Sequence, residues 1–268
     1  NKIISIATTE SRGITNTFRL GFLLRKENIQ IFYTLTDSFR SSFVLWLSKS
    51  KKRIGYNSQG RGVFLTVKIK LPLKKTHRYK KYLKLIEKDD TSINQKLIYF
   101  KKEEIEWAKH EIEKLGIKNP VGLFPFSVSE TRTFPNEKIS EWLNGSKENF
   151  LIFGAKNDTQ KANVIINDNK NISMISLCGK YSLRQSMALI SLCKYALAAD
   201  SGLGHISSII KIPTISFFGA NRAFVTKPIG NSCVVIDHSN RCNPCKKNIC
   251  CLKSINKDDV NSSINALI

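Results

Sequence analysis

The sequence predicts an α/β fold built on parallel sheets and divided into two domains. Three observations carry that prediction. Short apolar runs alternate with amphipathic stretches along most of the chain, the pattern in which helices cover the faces of a parallel sheet. The apolar run over 195–199 ends at once in Asp200, Ser201 and Gly202, a small-residue turn that opens a helix. Finally, 268 residues that are 41% hydrophobic and 24% charged suffice for two ordinary domains with their own cores.

The first alternation places strands at 3–7 and 29–35 and helices at 15–25 and 39–48. The chain begins at Asn1, without Met and inside an apolar run, which reads as a fragment or a trimmed product. Only about half a domain is legible there. A Lys-rich stretch over 68–95 holds a helical pattern around 79–86, and a charged helix over 103–115 stops at Gly116. The boundary is therefore expected near Gly116, giving domains over 1–115 and 116–268. A complete second alternation follows, with strands at 121–124, 150–153, 172–177, 195–199 and 214–217. Its helices fall at 136–143, 158–165, 182–193 and 203–210, and a terminal helix at 257–267 closes the chain.

A formal charge of +22 sets up a field that attracts phosphates, nucleic acid or an anionic bilayer. A genome-wide bias toward Lys, Asn and Ile would give the same composition without any function. The basic runs 49–53, 68–75 and 78–84 are the candidate patches. Few aromatics interleave them and no nucleic-acid motif appears, so nucleic acid is not an expected partner. No run reaches the ~20 apolar residues of a membrane span, and the start does not resemble a leader, so a cytoplasmic location is expected. Cys178, Cys193 and Cys233 lie in apolar segments and read as buried small hydrophobes. Cys242, Cys245, Cys250 and Cys251 offer four thiols to a zinc ion, but the adjacent pair can hardly face one metal. A disulfide there is disfavoured in a reducing compartment. Neither metal nor cofactor is expected.

Open parallel sheets bind ligands outside the carboxyl ends of their strands. Four loops qualify, at 125–132, 154–158, 200–202 and 219–222. Arg132 offers a rigid fork of donors to a diphosphate, and Asp158, just ahead of a helix, offers an acceptor to ribose hydroxyls. Ser127 adds a hydroxyl. Asp200 closes a strand, Ser201 and Gly202 form the turn, and His205 sits on the first turn of a helix whose leading N–H groups have no intrahelical partner. Each residue has an ordinary structural role as well. Asp158 and Asp200 make good N-caps, Ser127 a turn cap, and Arg132 and His205 solvated surface groups. Gly202-Leu203-Gly204 followed by Ser207 is only a broken dinucleotide fingerprint.

Taken in order, these motifs resemble glycosyltransferase family 9, the bacterial lipopolysaccharide heptosyltransferases. Arg132-Thr133-Phe134-Pro135 is similar to the family's Lys-x-Trp-Pro element with two substitutions, and Gly154 with Asp158 to its Gly-plus-acid step. Asp200, Ser201, Gly202 and His205 match its Asp-Ser/Thr-Gly-x-x-His signature in full, and Pro213 and Gly219 follow in place. The tail of Cys242, Pro244, Cys245, Cys251, Leu252 and Ile255 looks alike. So do Arg53-Ile54-Gly55-Tyr56 and the stretch from His77 to Tyr82.

The resemblance implies a GT-B type fold, in which two Rossmann-like domains face a cleft, with the N-terminal one truncated here. It implies transfer of a heptose from ADP-heptose, held by 116–268, to a lipopolysaccharide core or lipid A precursor taken by 1–115. Ser127, Arg132, Gly202 and His205 would then contact the diphosphate, Asp158 the ribose and Asp200 the donor sugar, with Ser201 also among the donor-binding residues. A helix N-terminus with one Arg and one His can stabilise a leaving diphosphate without a metal. The family's base is an Asp in a Gly-rich loop near the start of its N-terminal domain. No residue here matches it, so the base is expected upstream of Asn1 and this fragment is expected to lack it. Arg132 in place of Lys alters donor geometry, and Val128 stands where relatives tend to carry a hydroxyl. A transferase of another nucleotide sugar and a non-enzymatic polyanion binder are the alternatives. Peripheral contact with the anionic inner face of the membrane completes the expectation.

Overall fold

In the computed structural model the residues described are 3–6, 13–72, 76–87, 97–230, 232–239 and 251–267. They form two units, Asn1–Thr91 and Ser92–Ile268. The first holds α1 (Ile14–Arg25), β1 (Ile31–Tyr33), α2 (Phe39–Leu47), β2 (Lys52–Asn57), β3 (Val67–Lys70) and α3 (Arg78–Leu85). Its three strands are parallel in the order β1-β2-β3, with Tyr33 opposite Ile54 and Ile54 opposite Val67. Gly21 of α1 lies so close to Leu47 of α2 that any side chain there would overlap it. Two of the basic runs turn out to be partly strand. β2 opens on Lys52, and β3 alternates half-buried Val67 and Ile69 with exposed Lys68 and Lys70. The strand expected at 3–7 is absent over 3–6, where Ile3 is 92% exposed and, among the described residues, no neighbouring strand takes up the backbone groups. Ala7 lies outside the described residues.

The second unit carries the doubly wound sheet. Its elements are α4 (Lys102–Lys114), β4 (Val121–Phe124), α5 (Asn136–Leu143), β5 (Phe150–Ile152), α6 (Thr159–Asp168) and β6 (Met174–Ser176). Then come α7 (Leu183–Ile190), β7 (Ala196–Ala199), α8 (Gly202–Ile209), β8 (Thr214–Phe218), α9 (Ala223–Thr226), β9 (Cys233–Asp237) and α10 (Lys257–Leu267). All six strands are parallel, in the order β6-β5-β4-β7-β8-β9. Strands covered on both faces read as unbroken apolar runs, and β4, β5, β7 and β8 are buried at every position.

Alternate side chains of those strands enter two cores. Val121, Leu123, Leu197 and Phe217 pack with Ile139 and Trp142 of α5, Ile165 of α6 and Val260 of α10. Phe124, Ala196 and Ala198 face the other way, with Ala108 and Ile112 of α4 and Leu189 of α7. On the first face Phe134, Trp142 and Phe217 form a ring trio with centroids 4.8–5.3 Å apart. The Trp142 indole N–H donates to the Ile255 carbonyl at 3.0 Å, which ties α5 to the segment before α10.

The division between units falls after Thr91, ahead of the expected Gly116, because α4 is part of the second core. Ala108 is wholly buried there, and Tyr181 donates its hydroxyl to Glu111 at 2.9 Å. Gly116 does end the helix, at φ +66°. Among the described residues no helix is long and apolar enough to cross a membrane.

Arg184 of α7 fixes the start of α4. Its fork meets both carboxylate oxygens of Glu104 at 2.7 Å, donates to the Tyr99 carbonyl at 2.6 Å and lies 4.6 Å from the Phe100 ring. Glu104 also accepts from the Lys101 amide at 2.8 Å. The Arg184 hydrogen bonds, followed by the Lys101 amide, lower the Glu104 pKa from 4.5 to about 2. A carboxylate so depressed contributes stability that is complete above its unfolded value and is lost as pH falls toward about 2. Glu104→Gln should therefore bring the urea midpoint closer to that of the wild type as pH drops from 6 to 2.5. A gap between the two that does not narrow would show that the pair adds nothing to folding.

Candidate functional site

β4 and β7 are neighbours in the sheet although three helices and two strands separate them in the chain. β4 leads on to β5 and β6 on one side, and β7 to β8 and β9 on the other. The loops leaving these two central strands therefore diverge and open a crevice at their carboxyl ends, where doubly wound sheets hold ligands. Ser127 and Asp200 stand on its two lips.

The loop after β4 is closed on itself. Phe134 N–H donates to the Pro125 carbonyl at 2.8 Å, and the Thr133 hydroxyl accepts from the Ser127 amide at 3.1 Å. That folding holds Arg132 at the end of a short 3-10 turn, and Lys161 of α6 pins the turn through Glu130 at 2.5 Å. Ser127 then reaches across the crevice and donates its hydroxyl to the Asp200 backbone carbonyl at 3.0 Å.

Asp200 is the hub. Its side chain is 6% exposed, and Oδ2 lies 3.5 Å from Arg132 Nη1 and 2.5 Å from Asn221 Nδ2. Loops after β4, β7 and β8 thus converge on one carboxylate. Asn221 was not singled out from the sequence, because an amide in a polar loop carries no signature until its neighbour is known.

α8 opens directly after this hub. Ser201 is its N-cap residue in extended backbone, yet its side chain makes no cap bond, and its Oγ is buried without a hydrogen-bond partner among the described residues. The leading amides of the helix are left to bind something else. A Cβ on Gly202 would meet nothing within 4 Å, so the space above the turn is open. One turn on, a Cβ on Gly204 would lie 3.0 Å from Ala198 Cβ, so α8 rests tightly on β7. His205, half-buried, occupies the first turn.

Asp158 sits at the carboxyl end of β5, next to this network. Its Oδ2 accepts from the Ala155 amide at 2.8 Å, closing the 3-10 turn ahead of α6, and its side chain makes no cap bond to α6 itself, so the N-cap role expected from sequence is not the one it plays. A Cβ on the intervening Gly154 would come 2.7 Å from Phe126, the residue before Ser127, and 3.0 Å from Asp158 Oδ2. Only glycine lets the two loops approach so closely.

Cys178, Cys193 and Cys233 do not join the site. Burial raises the Cys178 thiol pKa and takes that of Cys193 up to about 12, so both are neutral packing groups; Cys233 is half-buried and its thiol is raised for the same reason. Among the described residues no three His, Cys, Asp or Glu side chains are grouped to hold a metal ion. Cys242, Cys245 and Cys250 lie outside those residues. Cys251 is disulfide-bonded, which corrects the expectation of a reduced thiol and removes its sulfur as a metal ligand.

The first unit has a charged cluster of its own at the carboxyl ends of β1 and β2. Arg61 is completely buried and donates to the carbonyls of Tyr56 at 2.7 Å and of Thr36, with Asp37 3.6 Å from Nη2. Burial lowers its pKa, and Asp37 opposes that shift. Lys81 approaches the other Asp37 oxygen at 3.0 Å. From sequence, Arg61 and Lys81 are two more of many basic residues.

The sequence profile of glycosyltransferase family 9 (heptosyltransferase) matches residues 17–256. The chain belongs to glycosyltransferase family 9. Lipooligosaccharide heptosyltransferase 2 of Campylobacter jejuni is 28% identical over 248 residues, 88% of this chain and 73% of that protein. A solved glycosyl transferase family 9 structure from Veillonella parvula superposes with a TM-score of 0.77 at 19% identity, over 96% of this chain and 80% of that one. The structure of Escherichia coli ADP-heptose lps heptosyltransferase II gives 0.71 at 20%, over 94% and 80%. The fold is thus the GT-B type of these family 9 enzymes, and the chain is a glycosyltransferase.

The two glycines of α8 separate packing from access. Gly204→Val should lower stability by about 1–3 kcal/mol, the usual cost of overpacking. Gly202→Ala, which meets open space, should leave the thermal midpoint unchanged or slightly higher. Equal losses in the two variants would contradict the close seat of α8 on β7.

Proposed function

We propose that this family 9 transferase takes a heptose from ADP-heptose and adds it to the inner core of lipopolysaccharide. The observation that carries the reading is the convergence of three loops on Asp200, beside the uncapped N-terminus of α8. An activated sugar needs its departing diphosphate stabilised as charge develops on it. Helix amides fixed in place before the reaction, with an Arg long enough to reach the ligand and a nearby imidazole, do this where water is excluded.

In this reading the amides of Gly202 and its neighbours, with the Ser201 hydroxyl and the Ser127 hydroxyl turned from the Asp200 carbonyl, cradle the diphosphate. Arg132 is long enough to leave Asp200 and pair with it, and His205 adds a donor. Asp158 keeps one oxygen on the Ala155 amide and offers the other to ribose. Asp200, tied through Oδ2, offers Oδ1 to the donor sugar. The names of the Campylobacter and Escherichia relatives support heptose as the sugar and ADP-heptose as its carrier.

The first unit is proposed to take the acceptor. Residues 1–91 hold 20 Lys and Arg against 6 Asp and Glu, so most of the +22 resides in a third of the chain. Such a field draws in an acceptor rich in phosphate and acidic sugar, and it favours peripheral contact with an anionic cytoplasmic leaflet. Val128, fully exposed beside the crevice, is the position at which a different nucleotide sugar would be selected.

Calorimetry with ADP tests the donor site directly. ADP should bind, and Arg132→Ala should weaken it about tenfold or more, as expected for losing a charge-assisted hydrogen bond of about 1.5–3 kcal/mol. Asp200→Ala and His205→Ala should cut donor hydrolysis or transfer by about 10²-fold while leaving binding to anionic liposomes unchanged. A chain that binds anionic liposomes but not ADP, with both substitutions silent, would be a polyanion binder and would end this reading. Tighter binding of another nucleotide sugar than of ADP-heptose would overturn the choice of donor.

A further inference from the structure

We infer that Asn221 is a positioning residue for the donor sugar, acting through Asp200. The inference rests on the donor-site reading and goes beyond it, because that reading gives Asn221 no role although it lies in the loop 219–222. Its side-chain amide donates to Asp200 Oδ2 at 2.5 Å, closer than Arg132 Nη1 at 3.5 Å. The Asp200 backbone is fixed separately, by the Ser127 hydroxyl on its carbonyl at 3.0 Å.

These two donors to Oδ2 differ in what happens when a diphosphate arrives. Arg132 is a long cation whose preferred partner is then the ligand, so its hold on Asp200 is released. Asn221 is short and neutral, with no such competing attraction. It stays on Oδ2, keeps the carboxylate from rotating and directs Oδ1 outward as an acceptor for sugar hydroxyls. Being uncharged, it leaves the full negative charge of Asp200 available to those hydroxyls.

Asn221 is itself well placed to act as a fixed post. It stands in the turn between β8 and α9, and Gly219 two residues earlier lies against the buried Leu252, where an added Cβ would come within 3.2 Å. The turn therefore packs down on the 3-10 segment Cys251–Ser254 instead of floating over the crevice.

A geometric role of this kind acts on the sugar and leaves the nucleotide alone, and calorimetry on the intact chain with ADP and with ADP-heptose separates the two. The wild type should bind ADP-heptose more tightly than ADP. Asn221→Ala should abolish that difference while changing the ADP affinity less than twofold, and Asn221→Ser, which keeps a donor, should restore part of it. In the Asp200→Ala background Asn221→Ala should have no further effect, since its partner is gone. If Asn221→Ala and Asn221→Ser both keep the wild-type preference for the sugar nucleotide, the inference falls and the donor site stands. Equal weakening of ADP and ADP-heptose in both variants would assign Asn221 a purely structural role and also overturn it. Absence of ADP binding by the wild type would remove the donor-site reading itself.

Discussion

The reversal of strand order between β4 and β7 is the constraint on which the rest of the molecule depends. Parallel strands joined by right-handed crossovers leave the centre of the sheet in opposite directions, and the two loops that part company there cannot cover the gap between them. Every polar group assigned to the donor stands beside that gap or on the strand next to it. The Ser127 hydroxyl on the Asp200 carbonyl and the Arg132 guanidinium beside Asp200 Oδ2 are direct ties across it. Because the two strands are buried at every position, the lips of the crevice sit on the most rigid part of the fold. The loops can then hold a carboxylate, a guanidinium and an open helix end within reach of one ligand.

What was legible in the sequence follows from how each element is solvated. In the second unit the strands at 121–124 and 196–199 are covered on both faces, so their apolar runs stand out against charged helices, and α5 and α10 were placed to the residue. β2 and β3 were hidden for the opposite reason. β2 opens on Lys52 and Arg53, and β3 has a lysine-bearing face, so a strand that alternates Val-Lys-Ile-Lys looks like part of a basic run. β9 escaped notice because its residues are mostly half-buried and a cysteine and an aspartate bracket it. The boundary near Gly116 followed a true helix stop, but a stop signal says nothing about which core the helix joins. Ala108 and Ile112 decide that, and their role appears only once α7 lies beside them.

The site divides in the same way. Asp200, Ser201, Gly202 and His205 were legible because a strand running into a small-residue turn is a local pattern. Ser127 and Arg132 were legible as loop residues after a strand, although their meeting with Asp200 spans some 70 residues of sequence. Asn221 and the Arg61–Asp37–Lys81 cluster were not. Their significance lies wholly in partners brought by the fold, and in a chain with 43 Lys and Arg no single cation draws attention. Arg61 shows what the fold adds: a guanidinium with no exposed surface, held by backbone carbonyls through Nε and Nη1 and paired with Asp37 at 3.6 Å.

The unused hydrogen-bonding capacity around Asp200 argues that this is a binding surface more than a structural knot. A helix N-terminus placed for stability alone would use the Ser201 hydroxyl as a cap, as Ser182 does at the start of α7, where its Oγ accepts from the Gln185 amide at 3.3 Å. The same residue type at the same position of α8 makes no such bond. Losing a cap costs about 1 kcal/mol, and a buried hydroxyl without a partner costs more. A fold that caps α7 and leaves α8 open at the mouth of the crevice has left its strongest cluster of amide donors to be satisfied from outside the chain. A diphosphate, with two negative groups spaced to span the turn and reach Arg132, is the ligand chemistry that meets that demand most fully.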